Sequence, residues 1–162
     1  MLRISKLTDY GILLAVELGE LQEPTSVRAL SLRTGVPQAT ASKVLQSLAR
    51  AGIARSRRGA TGGYCLTRPS REIPMLEVLT ALEGPLAVTD CVEEGACEHE
   101  EGCGTRVSWQ RVNEAVARAL ANVSLADMAP PTPLVALTRS AAHAARLRQG
   151  ADLSLLAPAE HA

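Results

Sequence analysis

Three cysteines, Cys91, Cys97 and Cys103, stand at even intervals in the run CVEEGACEHEEGC, with five residues between neighbours. Gly95 and Gly102 keep the backbone between them pliable. Closely spaced thiols are metal ligands by chemistry, but three is an awkward number. They cannot all pair as disulfides within one chain. A closed structural zinc site takes four ligands, and an iron–sulfur cluster is usually held by four thiolates. The ladder therefore reads as an incomplete metal site, its fourth ligand elsewhere in the chain or on a partner chain. Glu93, Glu94, Glu98, Glu100 and Glu101 make the same run strongly acidic. Next to thiolates these carboxylates belong in solvent, and by like charge they disfavour the thiolate form. The fourth cysteine, Cys65, lies apart beside Tyr64 and reads as a small buried hydrophobe.

The elements that must position such a loop begin with a charge asymmetry. The 162 residues carry no net charge, yet residues 1–74 hold eleven Lys and Arg against five Asp and Glu. Residues 75–162 hold six against twelve. A basic half suits a polyanion, and an acidic half is kept off it. Aromatic residues are scarce, with Tyr10, Tyr64, Trp109 and no Phe, so the core must be aliphatic, which suits helices. No apolar run is long enough for a membrane span. The opening MLRISKLTDYG lacks the pattern of a signal peptide, so a cytoplasmic, reducing setting is expected. No nucleophile–base pair, nucleotide-binding glycine loop or paired-carboxylate pattern is present, and the chain does not read as an enzyme or as a binder of a small-molecule substrate.

Apolar spacing predicts a first helix over 6–20, with Leu7, Ile12, Leu13, Leu14, Val16 and Leu18, capped by Ser5 or Thr8. A second helix begins near Ser26, presents Val27, Leu30 and Leu32, and stops at Gly35. A third runs from about Pro37 to Arg50, with Val44, Leu45 and Leu48 inward. Two short helices around a tight turn are a helix-turn-helix signature. Residues 53–57, the glycine-rich 58–63 and residues 64–67 form a β-hairpin, the wing. The fold class is mainly α, a winged helix-turn-helix head with a small hairpin.

Side chains near the start of a recognition helix reach base edges in the major groove. Here these are Gln38, Thr40, Ser42 and Lys43. Gln bonds adenine bidentately, and Lys bonds guanine or a phosphate. Arg57 and Arg58 at the wing tip suit a minor groove or phosphates. Double-stranded DNA is the expected partner.

After the wing, a short helix over 74–82 ends at Gly84-Pro85. The cysteine loop follows, then a helix from about Val107 to Asn122, about 24 Å long, striped by Val107, Val112, Val116, Ala119, Leu120 and Val123. That stripe needs a cover, and a second copy of the chain is the economical one. The expected organisation is a DNA-binding head at 1–84, a cysteine loop at 85–106, a dimerisation helix at 107–129 and a Pro/Ala-rich tail at 130–162. Within the tail, residues 134–148 carry a weak helical pattern.

The opening LRISKLTDYG, the wing RRGATGGYCL, the stretch LEVLTALEGPLAVTDC, the cysteine ladder and WQRVNEAVARAL together resemble the IscR/NsrR (Rrf-two) family of bacterial iron–sulfur transcription regulators. The resemblance covers about residues 1–129 and is nearest to the branch that regulates SUF-type iron–sulfur assembly. It implies a homodimeric repressor or activator that holds an iron–sulfur cluster by Cys91, Cys97 and Cys103. Cluster status would govern its binding to promoters of cluster-assembly genes. Some members take a fourth ligand from a His three positions beyond the third Cys, where this chain has Arg106. The nitric-oxide-sensing branch uses an Asp near the N-terminus of the partner subunit, and Asp9 stands at that place. Asp9 is the ligand this resemblance implies, with Glu98 and His99 as rivals in the loop. The competing reading is a thiol-redox, nitric-oxide or zinc-dependent regulator of the same fold.

Overall fold

The computed structural model describes residues 3–21, 23–59, 62–92, 95–98 and 103–130. Its elements in order are α1 (Lys6–Glu20), α2 (Val27–Thr34), α3 (Gln38–Arg50), β1 (Ala54–Arg57), β2 (Gly63–Leu66), α4 (Met75–Glu83) and α5 (Arg106–Ala121), with short 3-10 turns at Ser70–Glu72, Asp90–Val92 and Leu125–Met128. Residues 1–129 form one compact unit, and the expected helix over 134–148 lies outside the described residues. None of the described helices is long and apolar enough to cross a membrane.

The helix ends follow from capping chemistry. The Ser5 side chain accepts the Thr8 N–H at 3.2 Å, and Ser26 does the same for Ala29. Each satisfies a backbone donor that the first turn leaves orphaned. Gly35 ends α2 in the left-handed region at φ 73°, which costs a glycine little. Pro37 then opens α3 without loss of a hydrogen bond.

α1 packs across α3 and α4, and α2 against α3. Leu14, Leu30, Leu45, Leu48 and Ile53 have no exposure, and Val44 and Val36 have almost none. Each such side chain contributes roughly 1.5–3 kcal/mol by leaving water. Two of the expected apolar positions of the head face solvent, Leu13 at 37 % exposure and Leu32. Leu32 is 76 % exposed, because two residues after the buried Leu30 it falls on the opposite side of α2.

The hairpin pairs antiparallel, Ala54 with Leu66 and Ser56 with Tyr64. Tyr64 also exchanges backbone hydrogen bonds with Thr25, which adds one residue as a minimal third strand. That approach is why residue 63 is glycine: a Cβ there would lie 2.3 Å from the Thr25 carbonyl.

Two features downstream depart from the local pattern. The stripe of α5 has no buried member, and Val107, Trp109 and Val112 are 59 %, 38 % and 43 % exposed. Its neighbours are α4 and Asp90–Val92. The helix ends at Ala121, close to the expected end at Asn122, and the chain beyond it turns back to the head. Ser124 and Asp127 cap each other, the Leu125 N–H donates to the Ile73 carbonyl at 2.8 Å, and the Met75 N–H donates to the Val123 carbonyl at 2.8 Å. Leu125 is fully buried in the core of the head.

Candidate nucleic-acid interface and cysteine site

The outer face of α3 opposes its buried stripe of Ala41, Val44, Leu45 and Leu48. Gln38, Ala39, Lys43, Gln46 and Arg50 are exposed, while Thr40 and Ser42 are half-buried at the flanks. Positions 39, 43, 46 and 50 follow helical spacing and form one outward line. Gln46 and Arg50 were missed in the sequence because the reading stopped at the helix start. The spacing from Lys43 was the signal that would have found them. Arg57 and Arg58 are exposed on the wing, as expected of the tip. Arg55 lies on the other face of β1 from Ser56 and donates its Nε–H to Cys65 Sγ at 3.3 Å. Cys65 is half-buried.

Two other arginines of the head pair with the protein's own carboxylates. Arg33 pairs with Glu17, and Arg68 with Glu77. Lys43, Arg50, Arg55, Arg57 and Arg58 are exposed cations on α3 and the wing.

The cysteine site lies beyond α4. Cys91 sits in the turn Asp90–Val92, and Cys103 comes just before α5. Cys91 Sγ and Cys97 Sγ are 3.9 Å apart. Two thiolates on one tetrahedral ion, each at about 2.3 Å from it, stand about 3.8 Å apart, so this pair has the separation of a ligand pair. Cys103 interacts with the Cys91 thiol and lies 3.2 Å from Thr105 Oγ1. Among the described residues, no three His, Cys, Asp or Glu side chains form a group that could hold a single metal ion. A cluster spreads its ligands over more than one iron, which relaxes that requirement.

The three thiols are not equivalent. Partial burial, then the neighbouring Cys97 thiol, pushes Cys91 above the ordinary thiol range. The Thr105 hydroxyl, helped by backbone N–H groups at the start of α5, holds Cys103 below it. Glu98 is exposed, and His99 lies outside the described residues with Glu93, Glu94, Glu100, Glu101 and Gly102. Arg106, at the position of the family's histidine, opens α5. Asn113 on α5 accepts the Val88 N–H at 3.1 Å and donates to the Leu86 carbonyl at 3.0 Å, fastening the approach to Cys91.

Asp9 is exposed on the first turn of α1. One residue away, Thr8 is fully buried and its hydroxyl donates to Glu83 Oε1 at 2.6 Å. The Ser5 N–H donates to the same oxygen at 3.0 Å. Thr8 first, then Ser5, hold the Glu83 carboxyl below its ordinary value. Glu83 is the last residue of α4, so this clasp ties the Asp9 turn to the element that leads into the cysteine segment.

Known proteins resemble this chain in sequence and fold. The model of a family described as iron-dependent transcriptional regulators, Rrf2, matches residues 4–131. The protein Rrf2 of Nitratidesulfovibrio vulgaris is 31% identical over 78% of this chain and 87% of its own length. The transcriptional repressor NsrR of Streptomyces coelicolor is 30% identical over 83% of this chain and 94% of its own. The solved structure of CymR, the global cysteine regulator of Bacillus subtilis, superposes with a TM-score of 0.64 at 30% identity, covering 82% of this chain and 99% of that one. With a winged helix-turn-helix head and a cationic reading face, the chain belongs to the Rrf2 family and is a DNA-binding transcription regulator.

Proposed function

We propose that this chain is a homodimeric repressor of iron–sulfur cluster assembly (suf-type) genes, working in the cytoplasm and governed by a cluster of its own. The observation that carries the reading is the Cys91–Cys97 pair at 3.9 Å, with Cys103 beside it at the foot of α5. The donor set fits, since three soft thiolates suit iron–sulfur chemistry and two already stand at ligand separation. Cys91, Cys97 and Cys103 hold the cluster, and Asp9 of the partner subunit is the fourth ligand. A bound cluster supplies a centre that responds to redox state, oxygen or nitric oxide. The repressor sense follows the likeness to NsrR. The exposed valines and Trp109 of α5 supply the surface that a second copy covers.

The protein's own part is mechanical. Gln38, Thr40, Ser42 and Lys43 read the major groove, and Arg57 and Arg58 grip the flanking minor groove or phosphates. Asp9 stands next to the Thr8–Glu83 clasp, so a ligand bond there draws on the α1–α4 joint of the head. A shift at that joint alters how the two recognition helices of a dimer are spaced, and so which half-site geometry fits.

Anaerobic purification tests this. A brown protein with visible charge-transfer bands and matching iron and sulfide is expected, with promoter affinity that changes when the cluster is removed. A colourless protein with equal affinity in both states refutes it. In an Asp9→Ala variant, a cluster as stable as in wild type removes the trans-ligand assignment. The same 3.9 Å separation favours a second reading, a thiol switch in which a peroxide-class oxidant takes two electrons and two protons from Cys91 and Cys97, leaving as water while the disulfide forms. That protein is colourless and changes its free-thiol count, not its iron content.

A further inference from the structure

A cavity of about 390 Å3 opens between the C-terminal half of α3 and the wing, lined by Gln46, Ala49, Arg50, Ser56 and Tyr64. We infer that this notch seats a backbone phosphate of the bound duplex. The inference rests on the DNA-binding reading and deepens it.

The notch follows from register. Ala54 and Leu66 pair on the face of the hairpin that meets the core, and Ser56 and Tyr64 are the next pair on that face. As the hairpin rises out of the head, its inner face passes from apolar to polar. It then looks across at α3, where Gln46 and Arg50 lie along the outward line and Ala49 at its flank. Four of the five lining residues can donate hydrogen bonds, and none is acidic. Arg50 spends one contact on Ser47 Oγ at 3.2 Å. Its other guanidinium donors have no partner among the described residues, nor do the Gln46 amide and the Ser56 and Tyr64 hydroxyls. Converging donors with one full positive charge are complementary to an anion.

Duplex geometry supplies the anion. A head that lays α3 in the major groove and its wing in the adjacent minor groove must straddle the sugar–phosphate backbone between them. The notch lies between those two elements, continuous with both. Contacts there set register and affinity without reading sequence.

The test uses the full chain and two duplexes, one recovered by repeated selection from a random library on the wild-type protein, the other its scrambled sequence. Fluorescence anisotropy across a potassium chloride series gives affinities and salt slopes. Arg50→Ala should weaken both duplexes by a similar factor and reduce the log–log salt slope by about 0.9 per protomer. Tyr64→Phe should weaken both equally, by less, and leave the slope unchanged. Arg50→Gln, which keeps a long polar side chain, guards against misfolding and should lose the same slope. A wild-type slope in both Arg50 variants overturns the proposal. So does a loss confined to the selected duplex, which makes Arg50 a base reader. If wild type binds neither duplex, the regulatory reading beneath it fails first and the notch falls with it.

Discussion

The head and the arm beyond it are built by opposite rules. In the head, Leu14, Leu30, Leu45, Leu48 and Ile53 are sealed from solvent by the chain itself. In α5, a helix as long as α1, no residue is buried and Val107, Trp109 and Val112 face outward. Both helices carry an apolar stripe of helical period, so periodicity alone does not separate them. The difference lies in what covers the stripe. A head closed by its own core positions α3 and the wing without a second chain. An arm with an open apolar face and three thiols takes its final form from something added to it, and that suits a sensor.

Substitutions separate the two regions, beginning with the largest effect. Cys97→Ala removes one of the paired thiols and should abolish cluster loading, read as loss of visible absorbance and of iron, with the melting of the metal-free protein unchanged. If the variant loads a full cluster, the arm does not sense through this pair. Leu48→Ala acts on the head and should lower unfolding free energy by about 2–5 kcal/mol in denaturant titration, since a fully buried leucine leaves a cavity. Its cluster content, measured below the unfolding transition, should stay near wild type. Val112→Asp places a charge on the open stripe and should yield monomers by sedimentation. Affinity for a two-half-site duplex should then fall about a hundredfold as bivalent binding is lost, with the head's melting unaltered. Glu83→Gln sits at the joint between the regions and should cost about 1 kcal/mol, at the low end for a charged hydrogen bond because the carboxylate is exposed. Its pH dependence has a definite sign. The Glu83 carboxyl is held below its ordinary value of 4.5, so its stabilisation is complete above 4.5 and is lost as pH falls through the lowered value. Wild-type and Glu83→Gln melting temperatures should differ at neutral pH and converge in acid.

Much of the head was legible because its signals are local. Ser5, Ser26, Gly35 and Pro37 mark helix boundaries through capping chemistry that acts within one turn. The cysteine ladder stood out by its even spacing, and the structure brings Cys91 and Cys97 within 3.9 Å of each other. What escaped depends on contacts across the chain. Glu83 meets Ser5 and Thr8 from more than seventy residues away, and nothing near Glu83 announces it. Asn113 fastens Leu86 and Val88 in the same way. The end of α5 was legible to within a residue, but the pairing of Leu125 with Ile73 that brings the chain back to the head was not. The line from Lys43 to Gln46 and Arg50 was present in the spacing and was passed over.

Leu125 belongs to the core of the head yet follows the whole cysteine segment and α5 in the chain. A protease that cuts after Gly84 therefore does not release a finished DNA-binding fragment. It leaves one whose core depends on a downstream piece remaining docked, and losing that piece opens a hole where a fully buried leucine had been. Such a fragment spends more time unfolded and is itself prone to degradation. Damage that removes the arm therefore also weakens the fold that carries the recognition helix.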